Sequence, residues 1–365
     1  MRAAGRYLLR WTTIVPVVAV IALILSWGRP VAGWVLALEA ILLIGAVLAA
    51  VQSAETIAHR IGEPFGSLVL AVAVTVIEVG LIVMLMTAGK GDTSSLARDT
   101  VFAAVMLTMN GIVGLSLLIG AMKYHFAVFN PEGAGSALGT VVVLAVVTLV
   151  LPLFTVSDPG PGFTPAQLGF AGVASLILYG SFVFTQTIRH RDFFLPPGET
   201  ADVDEDGPHA RPPSTRRALI ALALLLVSLV GVVGLAKVES PAIEAGVVWL
   251  GFPRSFVGVV LAVVVLLPEM IAALRAAAQN RVQIALNLGY GSAMASIGLT
   301  IPTMAVLSIW LPGKLALGLA PTQIVLLATS AIVSVLTVVP GRAKPLHAIL
   351  HLVLLAAFLF LSVVP

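Results

Sequence analysis

Val69-Leu70-Ala71-Val72-Ala73-Val74-Thr75-Val76-Ile77-Glu78 and Val260-Leu261-Ala262-Val263-Val264-Val265-Leu266-Leu267-Pro268-Glu269 align without a gap, agree at six of ten positions and end on the same acid. Each is the middle of a longer apolar run. A helix rising 1.5 Å per residue needs roughly 17 to 25 such residues to cross a hydrocarbon core of about 30 Å. Runs of that length recur near 11–27, 31–51, 66–88, 99–122, 136–156, 166–188, 218–238, 255–278, 283–312, 321–340 and 345–364. With 59% of 365 residues hydrophobic and 10% charged, a water-soluble fold would expose far more apolar surface than one core can hide. The fold expected is an all-α polytopic membrane protein of about eleven transmembrane helices.

Charge orients it. With the N-terminus inside, 14 of the 20 Lys and Arg fall in cytoplasmic segments, among them Arg189, Arg191, Arg216, Arg217, Arg275, Arg281, Arg342 and Lys344. External segments hold the other six, including Arg29, Lys90 and Lys314. The positive-inside rule selects that orientation and puts the C-terminus outside. The same loops account for the net charge of +3 without a nucleic-acid partner. Arg2, Arg6 and Arg10 precede an apolar stretch, but Ser26-Trp27-Gly28-Arg29-Pro30 lacks a small-x-small cleavage pattern, so Met1 to Trp27 reads as an uncleaved first span.

Glu78 lies in the third span and Glu269 in the eighth, five crossings apart, so the two copies would run in opposite directions. The organisation expected is an extra N-terminal helix (1–30), a first inverted repeat of five helices (31–188), an acidic cytoplasmic linker (189–217) and a second inverted repeat of five helices (218–365). The linker holds Asp202-Val203-Asp204-Glu205-Asp206-Gly207, which opens like an EF-hand loop. Pro213 stands where the twelfth-position Glu belongs, so a solvated connector or a regulatory segment is expected instead.

Chemistry centres on the carboxylates. An ionised Glu78 or Glu269 facing lipid at mid-membrane costs several kcal/mol, so each must face protein, water or a cation. Paired carboxylates suit a hard cation that prefers oxygen ligands, and protons compete for the same oxygens. Neutral donors follow each acid: Thr108 and Asn110 in the fourth span, and Asn287, Ser292, Ser296 and Thr300 in the ninth. Thr75 shares the face of Glu78, or bonds back to its own helix. Asn110-Gly111-Ile112-Val113-Gly114 echoes Asn287-Leu288-Gly289-Tyr290-Gly291; such glycines either unwind to expose carbonyls or let helices pack closely. Pro268 removes one helical hydrogen bond beside Glu269. Glu39 is a third intramembrane acid, a relay or a structural acid, with no partner at an obvious matching position. His59, His125, His347 and His351 read as interfacial.

The chain has no cysteine, so disulfide and thiolate chemistry are excluded. It lacks a phosphate-binding Gly-Lys loop, an HExxH pair and a GxSxG turn, which argues against an enzyme. No cofactor is expected beyond the transported ions.

Ala58-His59-Arg60-Ile61-Gly62-Glu63-Pro64-Phe65-Gly66-Ser67, running on to Val76-Ile77-Glu78-Val79, resembles the first signature of ChaA-type antiporters in the calcium/cation antiporter superfamily. Leu267-Pro268-Glu269 followed by Asn287-Leu288-Gly289-Tyr290-Gly291-Ser292 resembles the second. The resemblance covers essentially the whole chain and implies exchange of cytoplasmic Ca²⁺, and in some members Na⁺ or K⁺, for external protons across a bacterial inner membrane. It also implies that Glu78 and Glu269 bind both cation and proton, by alternating access. Thr75-Val76-Ile77-Glu78 and Leu266-Leu267-Pro268-Glu269 replace the Asn-Ala-x-Glu form of the wider superfamily. The alternatives are a passive cation channel and a carrier coupled to an ion other than the proton.

Overall fold

The computed structural model describes residues 11–29, 31–62, 65–88, 93–157, 160–198, 213–311 and 314–364. The acidic run Asp202 to Asp206 lies outside them, as do Arg2, Arg6, Arg10 and Lys90. Eleven long helices occupy the described residues: α1 Trp11–Ser26, α2 Gly33–Ile61, α3 Phe65–Ala88, α4 Leu96–Tyr124, α5 Pro131–Leu153, α6 Pro165–Arg189, α7 Thr215–Trp249, α8 Phe256–Ala278, α9 Val282–Leu307, α10 Pro321–Val338 and α11 Pro345–Val363. Ten are long and apolar enough to cross a membrane, and α1 is a shorter apolar helix. The chain is an all-α, multi-pass membrane protein.

Local chemistry sets the helix ends. Pro131, Pro165, Pro321 and Pro345 each sit at a first helical position, where the missing N–H costs nothing. Asn130 and Thr164 accept hydrogen bonds from the first turns of α5 and α6. At its other end α2 stops on Gly62, whose φ of 78° favours glycine.

The seventh apolar run is longer than expected. Lys237, Glu239 and Pro241 look like an exit from the membrane, yet α7 continues through them to Trp249, a helix of 35 residues. Likewise α2 runs ten residues past Val51, and α8 continues through Pro268 without a break.

The chain packs as two compact units, each assembled from both halves of the sequence. One contains α1, α2, α3 and α7. Its helices approach closely at small residues, as helices in lipid do: Gly45 against Val15, Gly231 against Ala19 and Gly80 against Val233. The other contains α4, α5, α6, α8 from Gly258 onward, α9, α10 and α11. Here a two-residue antiparallel pairing, Ala127–Val128 with Arg342–Ala343, ties the ends of α4 and α10 together. Gly258 brings α8 against the backbone of Asp99 and Thr100 in α4.

Candidate functional site

In the first unit α3 is apolar throughout except for Ser67, Thr75, Glu78 and Thr87, and Glu78 is its one ionisable residue. Glu78 is 13 residues beyond Phe65 in a helix of 24 residues, hence at mid-helix, and is 3% exposed. α3 packs against α2 and α7, which supply the protein surroundings that a mid-membrane carboxylate requires. Thr75 lies one turn earlier on the same buried side, and its hydroxyl donates to Ala71 O at 2.8 Å. That back-bond spends its proton and leaves its oxygen lone pairs.

The second unit holds Glu269, 13 residues beyond Phe256 in a helix of 23 residues, so the two acids occupy equivalent helical positions. Glu269 is half-buried. One and two turns further, Ala273 and Ala277 pack on Ile112 of α4 and Ala285 of α9, so α8 is held against both helices that carry the neutral donors.

Those donors divide into two sets. Asn110 is fully buried, and its amide is engaged at both ends: Nδ2 donates to Ser330 Oγ at 2.8 Å, and Oδ1 lies 3.2 Å from His351 Nδ1. His351 Nε2 lies 3.2 Å from Thr337 Oγ1, completing a buried chain through α10, α4 and α11. His351 is therefore a core residue, not the interfacial one its place near a span end implies. Asn287 is also held, donating to Phe194 O at 2.7 Å and accepting from Gln283 Nε2 at 2.9 Å, while Gln283 accepts from Asn130 N. Thr108 back-bonds to Ala104 O and Val105 O. On α9, Ser292, Ser296 and Thr300 recur every four residues along one side, with Ser296 and Thr300 buried.

The two glycine-rich stretches differ. Leu107–Ile112 forms a π-helical turn inside α4, the kind of wide turn often found at functional sites. Its counterpart in α9 is regular α-helix, and Gly289 there serves close packing: a Cβ would lie 3.2 Å from Val113 and 3.6 Å from Thr108 O.

Glu39 has company that its sequence position does not announce. It is fully buried in α2 and accepts a hydrogen bond from Ser26 Oγ of α1; α2 packs along α7, where Lys237, two residues before the buried Glu239, stands over Trp27 beside Ser26. Ending the seventh span at 238 hides Glu239. Gln283 and Ser330 are likewise missed, because a lone buried amide or hydroxyl carries no pattern.

Comparison with known proteins agrees with this architecture. The profile of the sodium/calcium exchanger protein family matches residues 31–188 and again 220–364. The protein y4hA of Sinorhizobium fredii is 42% identical over 358 residues, covering 97% of this chain and 96% of its own length. The sodium-potassium/proton antiporter ChaA of Escherichia coli is 33% identical over 349 residues, covering 95% of this chain and 94% of that one. Among solved structures, YfkE superposes with a TM-score of 0.73 at 16% identity, covering 97% of this chain and 99% of that chain, a likeness of fold. With two matches spanning most of its length and close relatives along all of it, the chain belongs to the sodium/calcium exchanger protein family.

Proposed function

We propose that this protein is a secondary transporter that exchanges cytoplasmic Ca²⁺, with Na⁺ and K⁺ as further substrates, for external protons, and that Glu78 and Glu269 are the carboxylates that bind cation and proton in turn. The observation that carries the proposal is their equivalence: one acid at the same depth of an apolar helix, 13 residues from its start, in each half of the sequence. A carboxylate so placed is stable when a cation or a proton neutralises it, and exchanging one for the other is the chemistry of antiport. The named activity of the Escherichia coli relative supports the proton as coupling ion and Na⁺ and K⁺ as cargo.

The double family match supports reading 31–188 and 218–365 as two repeats, and five crossings between the acids makes them inverted. Alternating access then exposes the carboxylates first to the cytoplasm, then outside, in a bacterial inner membrane with the N-terminus inside. Ser292, Ser296 and Thr300, aligned along one side of α9, are candidates to complete cation coordination, and the amides of Asn110 and Asn287 are tied into protein networks.

Proteoliposomes holding the purified chain test this. With an imposed pH gradient, ⁴⁵Ca²⁺ or ²²Na⁺ should accumulate against its own gradient, and collapsing the pH gradient should abolish accumulation. Cation flux that only runs downhill and ignores the pH gradient would make the protein a channel.

A further inference from the structure

The mechanism above leaves unused a second pair of buried acids, Glu39 and Glu239, held entirely within the unit of α1, α2, α3 and α7. Glu39 is fully buried and Glu239 is 3% exposed. Ser26 Oγ donates to one oxygen of Glu39. Among the described residues, none donates a hydrogen bond to Glu39 Oε2 or Glu239 Oε1, both sequestered, and Ser240 Oγ, next to Glu239 in the chain, is also buried without a partner. Among the described residues neither glutamate forms a salt bridge.

Two ionised carboxylates in this setting combine two desolvation penalties with mutual repulsion, and their orphan oxygens add the cost of unmade hydrogen bonds. One proton relieves all three: it removes a charge, ends the repulsion and turns one orphan acceptor into a donor. A metal ion is the weaker candidate on two grounds. Among the described residues no third acid, histidine or cysteine joins the pair. The adjoining cavity, of about 560 Å³, is lined by Ser26, Trp27, Arg29, Lys237 and Pro241, so its charged walls are cationic and admit water more readily than a metal ion. Lys237 stands over Trp27 with Nζ 4.7 Å from the ring centroid, and at two residues from Glu239 it projects from another side of α7. Ser26 both lines the cavity and donates to Glu39, which connects the cavity to the pair.

The remaining titratable groups on these elements are Glu78 on α3, Glu244 with Arg216 and Arg217 on α7, and Glu55, His59 and Arg60 toward the far end of α2; α1 has none between Trp11 and Ser26.

We infer that Glu39 and Glu239 form a carboxyl pair that binds a proton, separate from Glu78 and Glu269, and reached through the Ser26 edge of the cavity. This second site would charge and discharge where α1, α2 and α7 meet, so its occupancy would set how tightly those helices are held.

Infrared spectroscopy of the full-length protein in lipid at neutral pH reads the proton without any transport. The C=O absorption of a protonated carboxyl should be present in wild type, remain in Glu78→Gln/Glu269→Gln, and fall by about one carboxyl per chain in Glu39→Gln/Glu239→Gln. Ser26→Ala keeps both acids and covers the case in which the double variant does not fold: the band should stay but shift in frequency, because Glu39 has lost its donor. An undiminished band in a folded Glu39→Gln/Glu239→Gln protein, or an unshifted one in Ser26→Ala, would overturn the assignment. So would a band that survives Glu78→Gln/Glu269→Gln and is erased by Ca²⁺ or Na⁺ at constant pH, which would make the pair a metal site.

Discussion

Replacing Asn110 by leucine keeps nearly the same side-chain shape and removes both ends of an amide on which two other buried groups depend. Ser330 Oγ would retain only a contact of 3.8 Å to Met106 Sδ, and His351 Nδ1 would lose its contact with Asn110 Oδ1. Each buried group left unsatisfied costs about 1 to 3 kcal/mol, so the variant should be destabilised by about 2 to 5 kcal/mol, near the upper range for one substitution. Adding His351→Leu removes one orphan; Thr337 Oγ1 still donates to Val333 O, and the Met109 backbone loses its contact with the ring. The double variant should therefore be more stable than the sum of the two single losses implies, by about 1 to 2 kcal/mol. Reversible unfolding in mixed micelles of increasing denaturing-detergent fraction measures all four corners of the cycle. A loss below about 0.5 kcal/mol for Asn110→Leu, or strict additivity, would refute the network. The same samples test Asn110 as a cation ligand: saturating Ca²⁺ should raise the stability of wild type and of Asn110→Leu equally, whereas a ligand would lose that increment on substitution.

Three other expectations rest on local geometry. A Cβ on Gly133 would collide with Phe193 O, a backbone atom, whereas one on Gly234 would meet the side chain of Leu23, so Gly133→Ala should lower the unfolding temperature far more than Gly234→Ala. Arg98 pairs with Asp99 at 2.8 Å and donates to Gly318 O; because Asp99 is 4% exposed, Arg98→Ala leaves a buried carboxylate without its counter-charge, with Ser95 Oγ as a remaining donor, and should cost about 3 kcal/mol, with Asp99→Asn recovering part of it. Thr75→Val removes a hydroxyl whose proton is already spent on Ala71 O; cation affinity unchanged in Thr75→Val proteoliposomes would mark Thr75 as structural, and affinity that falls would make its oxygen a ligand.

Much of this architecture is legible in the sequence because lipid permits few solutions: a spanning segment must satisfy its own backbone, and the apolar runs accordingly match the helices. The failures share a cause. α7 carries Lys237, Glu239 and Pro241 inside a helix, which reads as a boundary when burial cannot be seen, so Glu239 disappeared into an imagined loop. His351 reads as interfacial because its partners Asn110 and Thr337 lie 241 and 14 residues away, and only packing brings them together. The π turn at Leu107–Ile112 has no residue pattern that separates it from the regular helix around Gly289, although both stretches share an Asn followed by glycines. Glu78 and Glu269 were readable because an acid in an apolar run is conspicuous, and one recurring in a second copy more so.

The most direct test of the proposed exchange is proton movement in sealed inverted vesicles holding a preset pH gradient, with Ca²⁺, Na⁺ or K⁺ added in turn to wild type, Glu78→Gln and Glu269→Gln. Cation addition should dissipate the gradient in wild type and fail to do so in either variant; dissipation that persists in both folded variants, or no proton movement with any cation in wild type, would rule out exchange through the two carboxylates.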